Sequence, residues 1–235
     1  MEVIMNNKFK KEDAIGQIVA EFPGASEIFY KYNVDFCCGG DRPLSLAISS
    51  QCLDEKILIE ELNTKYQGFK ENNEKFTDWA KVSPSKLIEY VINNHHSYLN
   101  VELPKISTLL LKILTVHGKN HEELFKVHKL FNNLRAELEA HLVKEEEFLF
   151  PLITQYEKGK DKKVRSAALK LIDEIEQEHT GAGDIIKDLR EITDHYSTPN
   201  DVCGTFELTY KKLLELEVDL FQHIHLENNI LFNNF

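Results

Sequence analysis

A pattern near the middle of the chain recurs at its end, 82 residues later. The first copy reads His141-Leu-Val-Lys-Glu145-Glu-Glu-Phe-Leu-Phe150, and the second reads His223-Ile-His-Leu-Glu227-Asn-Asn-Ile-Leu-Phe232. Each holds a His and a Glu four residues apart, which places the two on one side of a helix, one turn above the other. Both pairs lie inside an apolar stripe: Leu134, Leu138, His141, Glu145, Leu149 and Leu152 in one helix, Leu216, Leu220, His223, Glu227 and Leu231 in the other. Burying a carboxylate in such a stripe is costly unless it is paired or holds a metal, and here there are two. With ten histidines in a Glu-rich chain, one His-x-x-x-Glu arises by chance about once. A matched repeat does not. A further histidine precedes each copy at nearly equal distance, His96 by 45 residues and His179 by 44, so four helices must bring their ligands to one centre.

The remaining patterning fits an all-α chain, an up-down four-helix bundle preceded by a small helical domain. Residues 1–66 form the small domain. Ala14, Ile15, Ile18, Val19 and Phe22 have helical spacing until Pro23-Gly24, Ile28, Phe29 and Tyr32 form a second helix, and Pro43 suits the first position of a third. A fourth helix is expected from about Asp54 to Tyr66. Residues 67–82 are polar, include Gly68 and Asn72-Asn73, and read as a linker that docks through Phe69, Phe76 and Trp79. Residues 83–235 form the bundle. Ser83 and Pro84 open its first helix, which Pro104 kinks without ending. Asn120 and Glu123 resemble a capping box for the second helix. Breaks at Gly159-Lys-Asp161 and Ser197 to Asp201 delimit the third and fourth, and connections this short imply antiparallel neighbours.

Six ligands fill one octahedral site or are shared by two ions. Two carboxylates, one from each half, suit bridging positions, with two histidines left for each metal. A shell of imidazole and carboxylate favours iron or manganese over the sulfur-rich tetrahedral sites of structural zinc. Buried histidines satisfied by neighbouring glutamates would account for one pair, but not for both with matching partners. His95 competes with His96, and spacing does not choose between them. His117 and His121 flank a helix junction and are assigned a surface role. His225 points away from the ligand face, His128 and His195 are expected in solvent, and Glu178, next to His179, is either a partner behind a ligand or merely a charged neighbour, the second reading being favoured.

A net charge of −11 disfavours nucleic acid or an anionic membrane as partner. No apolar run approaches the roughly 20 residues that span a bilayer, and the amino terminus lacks a signal-peptide pattern, so a cytoplasmic location is expected. Cys37, Cys38, Cys52 and Cys203 are too few and irregular for a disulfide framework and read as free thiols. Cys37 and Cys38, beside two glycines, could take up iron, exchange disulfides or accept nitrosyl groups, or simply pack in a turn. Cys52 and Cys203 are expected to be structural.

Two signatures carry a family resemblance. Asp35-Phe-Cys-Cys-Gly-Gly40 stands in the small domain, and Glu-x-x-x-His-Leu-x-Lys-Glu-Glu-x-x-Leu-Phe-Pro (Glu137 to Pro151) pairs with His-Leu-Glu-Asn-Asn-x-Leu-Phe (His225 to Phe232). The bundle resembles hemerythrin-like domains, and the whole chain resembles the di-iron proteins that repair iron-sulfur clusters. The resemblance implies a non-haem centre of two iron ions with a carboxylate and an oxo or hydroxo bridge. It makes His96, His141, His179 and His223 the terminal ligands and Glu145 and Glu227 the bridges, and so selects His96 over His95. It also tips Cys37 and Cys38 towards a redox or iron-transfer role. It implies repair of clusters after nitrosative or oxidative stress, with damaged iron-sulfur proteins as clients and nitric oxide or oxygen as small ligands, through iron donation, nitric oxide reduction or both. The alternative is a hemerythrin-like oxygen or nitric oxide sensor or binding protein; an iron store is disfavoured, since one site per chain holds little iron. An exposed double cysteine on a small domain makes a homodimer plausible.

Overall fold

The computed structural model describes residues 7–72 and 76–235, and the chain divides into two units, residues 83–223 and residues 1–82 together with 224–235. Among the described residues every regular element is helical.

In the smaller unit, α1 (Ile15–Glu21), α2 (Ala25–Lys31), α3 (Leu44–Ser50) and α4 (Glu55–Glu71) enclose a core that includes Ile15, Ile18, Phe29, Leu44 and Leu62. Pro43 is the residue before α3, with extended ψ, so its ring sets the approach to the helix from one position earlier than expected. The Asp54 carboxylate accepts the Ile57 N–H at 3.0 Å and caps α4. That helix runs on to Glu71, five residues into the segment read as linker. The cause is aromatic packing: Tyr66 and Phe69 lie 5.7 and 5.3 Å from the Phe22 ring, which rewards a further turn. Asn73, half of the expected loop pair, lies outside the described residues. The Asn63 side chain exchanges two 3.0 Å hydrogen bonds with the backbone of Phe9 and ties the leading segment to α4.

In the larger unit, α5 (Pro84–Val91) continues through a π-helical segment, Ile92–His96, into α6 (Ser97–His117). The second helix repeats that construction, with α7 (Glu123–Lys144), a π segment Glu145–Leu149 and α8 (Phe150–Gly159). Because α6 packs on α7 and α5 on α8, the two run antiparallel; α9 (Lys162–Ile192) packs on both α7 and α8. The last helix, α10 (Gly204–Leu226), ends in a third π segment, Glu227–Leu231, and passes from the larger unit into the smaller. Pro104 sits inside an unbroken α6. The capping box at Asn120 does not form: α7 starts after Glu122, and the Glu123 carboxylate instead meets His121 Nδ1 at 3.1 Å. Lys160 takes a left-handed turn (φ 50°), after which Asp161 caps α9 through the Lys163 N–H. No helix among the described residues is long and apolar enough to cross a membrane.

Candidate metal centre

The three π segments position candidate ligands. A π turn spends one more residue than an α turn, and such turns concentrate at functional sites. His96 closes the first segment, Glu145 opens the second and Glu227 opens the third. The extra residue also resets the phase of the apolar stripe. His141 and Ile153 are twelve residues apart, roughly 120° out of phase in a regular helix but only about 20° once one residue is absorbed. Ile153 is accordingly buried and Leu152 is not, contrary to the stripe read from the sequence.

His96, His141, Glu145, His179, His223 and Glu227 are all buried. They form two overlapping groups, His96, Glu145, His223 and Glu227, and His141, Glu145, His179 and Glu227; within each, one donor atom per residue lies within 4.8 Å of the others. The Nε2 atoms of His96 and His223 are 3.2 Å apart, and those of His141 and His179 3.1 Å. Glu145 divides its oxygens between the two pairs, with Oε2 3.4 Å from His96 Nε2 and Oε1 3.4 Å from His141 Nε2 and 3.9 Å from His179 Nε2.

The ring orientation of two candidate ligands is fixed from behind. His96 Nδ1 lies 2.8 Å from Glu146 Oε1, and His141 Nδ1 lies 2.8 Å from Glu178 Oε2. A carboxylate only accepts, so each Nδ1 carries the hydrogen and each Nε2 turns its lone pair inward. Burial pushes the Glu178 carboxyl up, but its hydrogen bonds with Lys144 and His141 outweigh that and hold it below the usual range. Glu178 is therefore the orienting partner of His141, not the bystander expected from its place beside His179. Four imidazoles and two carboxylates closing on one buried centre form a donor set that fits a cation.

His95 stays outside both groups. Its ring stacks parallel to His223 at 5.5 Å, and its Nδ1 meets Asp219 at 2.9 Å, so it buttresses a ligand. His225 does point away, but into the core of the smaller unit, where Nδ1 faces the Phe36 carbonyl at 3.4 Å; burial pushes its imidazole down to about 4. His195 is exposed and His128 half-buried. A cavity of about 270 Å³ reaches His141 and His179 between α7 and α9, walled by Leu138, Ala140, Gly181 and Ala182 with Lys144 and Glu178 beside them.

Cys37 and Cys38 belong to neither group. They occupy a turn of the smaller unit, Cys37 buried and Cys38 half-buried. Cys52 and Cys203, expected to be structural, are both exposed. Cys52 closes α3 in a left-handed conformation (φ 54°), and Cys203 Sγ lies 3.2 Å from His117 Nε2, which gives His117 a partner the sequence did not suggest.

A helical bundle with this buried histidine and carboxylate centre defines a metal-binding protein of the hemerythrin type. Residues 87–234 match the family described as Hemerythrin HHE cation binding domain, and residues 11–66 match ScdA_N, a Domain of Unknown function (DUF542). The chain is 33% identical over 225 residues to the iron-sulfur cluster repair protein ScdA of Staphylococcus haemolyticus, covering 95% of this chain and 98% of the relative. It is 33% identical to a probable iron-sulfur cluster repair protein of Haemophilus influenzae (94% and 95% covered) and 32% identical to the iron-sulfur cluster repair protein YtfE of an Enterobacter species (94% and 96%). The chain belongs to this family of iron-sulfur cluster repair proteins, in which a hemerythrin-like domain implies iron binding.

Proposed function

We propose that this protein holds two iron ions in the bundle and uses them in the repair of iron-sulfur clusters. The observation that carries the reading is the division of the Glu145 carboxylate between two histidine pairs, the arrangement a bridging ligand requires. His96 and His223 would serve one ion and His141 and His179 the other, with Glu145 and Glu227 shared. Iron bound in this way supplies one-electron chemistry and a ferrous ion that can be passed on. The protein's own contributions are to keep the imidazole lone pairs aimed inward through Glu146 and Glu178 and to exclude bulk water with buried ligands. Damaged iron-sulfur proteins are the proposed clients, in line with the names of the relatives.

A second observation favours a small-molecule reading of the same centre. The cavity beside His141 and His179 has an apolar wall and suits a neutral diatomic such as nitric oxide or oxygen. Nitric oxide reduction or reversible binding would use that side.

The test is anaerobic purification with metal analysis, followed by addition to an extract containing a nitric-oxide-damaged iron-sulfur enzyme. About two irons per chain, a marked loss in Glu145→Ala and cluster recovery with the wild type alone are expected. Recovery that is equal for wild type and Glu145→Ala overturns the repair reading. A stoichiometric nitric oxide adduct without recovery assigns the binding role instead.

A further inference from the structure

The turn Asp35-Phe-Cys-Cys-Gly-Gly40 is wound around a single carboxylate. Asp35 Oδ1 accepts the backbone N–H groups of Cys37, Cys38 and Gly39 at 3.2, 3.0 and 3.1 Å. The same oxygen lies 3.4 Å from Cys37 Sγ, which in turn lies 3.8 Å from Cys38 Sγ. One donor atom from each of Asp35, Cys37 and Cys38 falls within 4.8 Å of the other two.

The surroundings hold this turn in place. Gly16 and Gly40 approach Asn229 so closely that an added Cβ would stand 2.3 and 2.2 Å from its Oδ1. Asn229 Nδ2 donates to the carbonyls of Phe36 (3.3 Å) and Cys37 (2.9 Å), and Arg42 Nε donates to the Gly39 carbonyl at 3.2 Å.

We propose that Asp35, Cys37 and Cys38 form a second metal site, separate from the histidine and glutamate centre, which binds one divalent ion of the zinc class through two thiolates and a carboxylate.

Magnitudes support this over a disulfide. With metal–sulfur bonds of about 2.3 Å and metal–oxygen bonds of about 2.0 Å, a tetrahedron has a sulfur–sulfur edge of about 3.8 Å and a sulfur–oxygen edge of about 3.5 Å. The turn already has the 3.8 Å between its sulfurs, whereas a disulfide needs about 2.0 Å. Sulfur donors also select a softer ion than the nitrogen and oxygen set in the bundle. On uptake two S–H bonds break, two metal–sulfur bonds and one metal–oxygen bond form, and two protons leave to solvent with no change in oxidation state. Both thiols must lose a proton to bind, so uptake strengthens as pH rises. The fourth position is left to water or an exogenous ligand on the half-buried Cys38 side.

The test is anaerobic titration of the reduced full-length protein, its bundle centre already loaded with iron, with Co(II), following the sulfur-to-cobalt charge-transfer band, which the sulfur-free bundle centre does not produce. One equivalent should develop the band and Zn(II) should bleach it. Cys38→Ser should abolish it, Cys52→Ser and Cys203→Ser should leave it unchanged, and Asp35→Asn, which keeps an oxygen for the three amides, should weaken binding by about tenfold or more. In the wild type, without any substitution, saturating Zn(II) should slow alkylation of Cys38 at least tenfold. Absence of the band at one equivalent, its survival in Cys38→Ser, or unchanged Cys38 alkylation under Zn(II) overturns the proposal. None of these readouts depends on the bundle centre or on cluster repair.

Discussion

Nδ1 of His141 lies 2.8 Å from Oε2 of Glu178, and that contact decides which nitrogen of the histidine faces the centre. Removing the carboxylate in Glu178→Ala frees the ring to rotate and to adopt the other tautomer. Metal affinity should fall about 10- to 100-fold, measured by competition with a chromogenic chelator. The metal-free stability should change little, because Glu178 is partly exposed.

The π segment Glu145–Leu149 gives a second prediction. Deleting the exposed Glu147 lets this stretch close as a regular α-helix, with Leu142 and Ile153 still facing the core but Glu145 no longer aimed as before. Metal content should drop sharply, while the melting midpoint, compared between metal-free forms, moves by only a few degrees. A collapse of helicity in the circular dichroism spectrum would mean that the wide turn holds the fold itself.

Glu217 is fully buried and is met by Arg190 and by the Tyr196 hydroxyl. Arg190→Met strands a negative charge in the core and should cost about 3–5 kcal/mol in chemical denaturation. Adding Glu217→Gln removes that charge and should restore much of the loss.

Cys203 offers a prediction in pH. His117, then the amides of Phe206 and Thr205 at the start of α10, pull its thiol down from 9.0 to about 7. The thiolate is therefore present above about pH 7 and lost as pH falls through it. Alkylation by iodoacetamide, mapped by peptide mass, should show its inflection near 7 at Cys203, and His117→Gln should move that inflection upward.

The sequence made the helices and the centre legible for one reason. Ligands spaced by one helical turn within an apolar stripe leave a periodic trace, so His141, Glu145, His223 and Glu227 announce themselves. His96 and His179 were found by their equal offsets, and the choice of His96 over His95 needed the family resemblance, since adjacent histidines both touch a stripe and only the π turn at Ile92–His96 separates ligand from buttress. Glu146 escaped notice, and Glu178 was read as a charged neighbour, because orienting partners come from neighbouring helices and carry no spacing of their own. The extension of α4 past Tyr66 depended on Phe22, some forty residues earlier, a contact that local propensity does not report.

The smaller unit joins two stretches far apart in sequence, residues 1–82 and 224–235, and Asn229 clamps its cysteine turn. Domains usually fold in the order in which they leave the ribosome. This one cannot. While synthesis proceeds, the nascent chain can collapse the helices of residues 83–223, but the cysteine turn waits, its thiols open to oxidants, until the final helix emerges. Closure of this turn therefore waits on residues 224–235, and a chain that stops before residue 229 leaves it without its clamp.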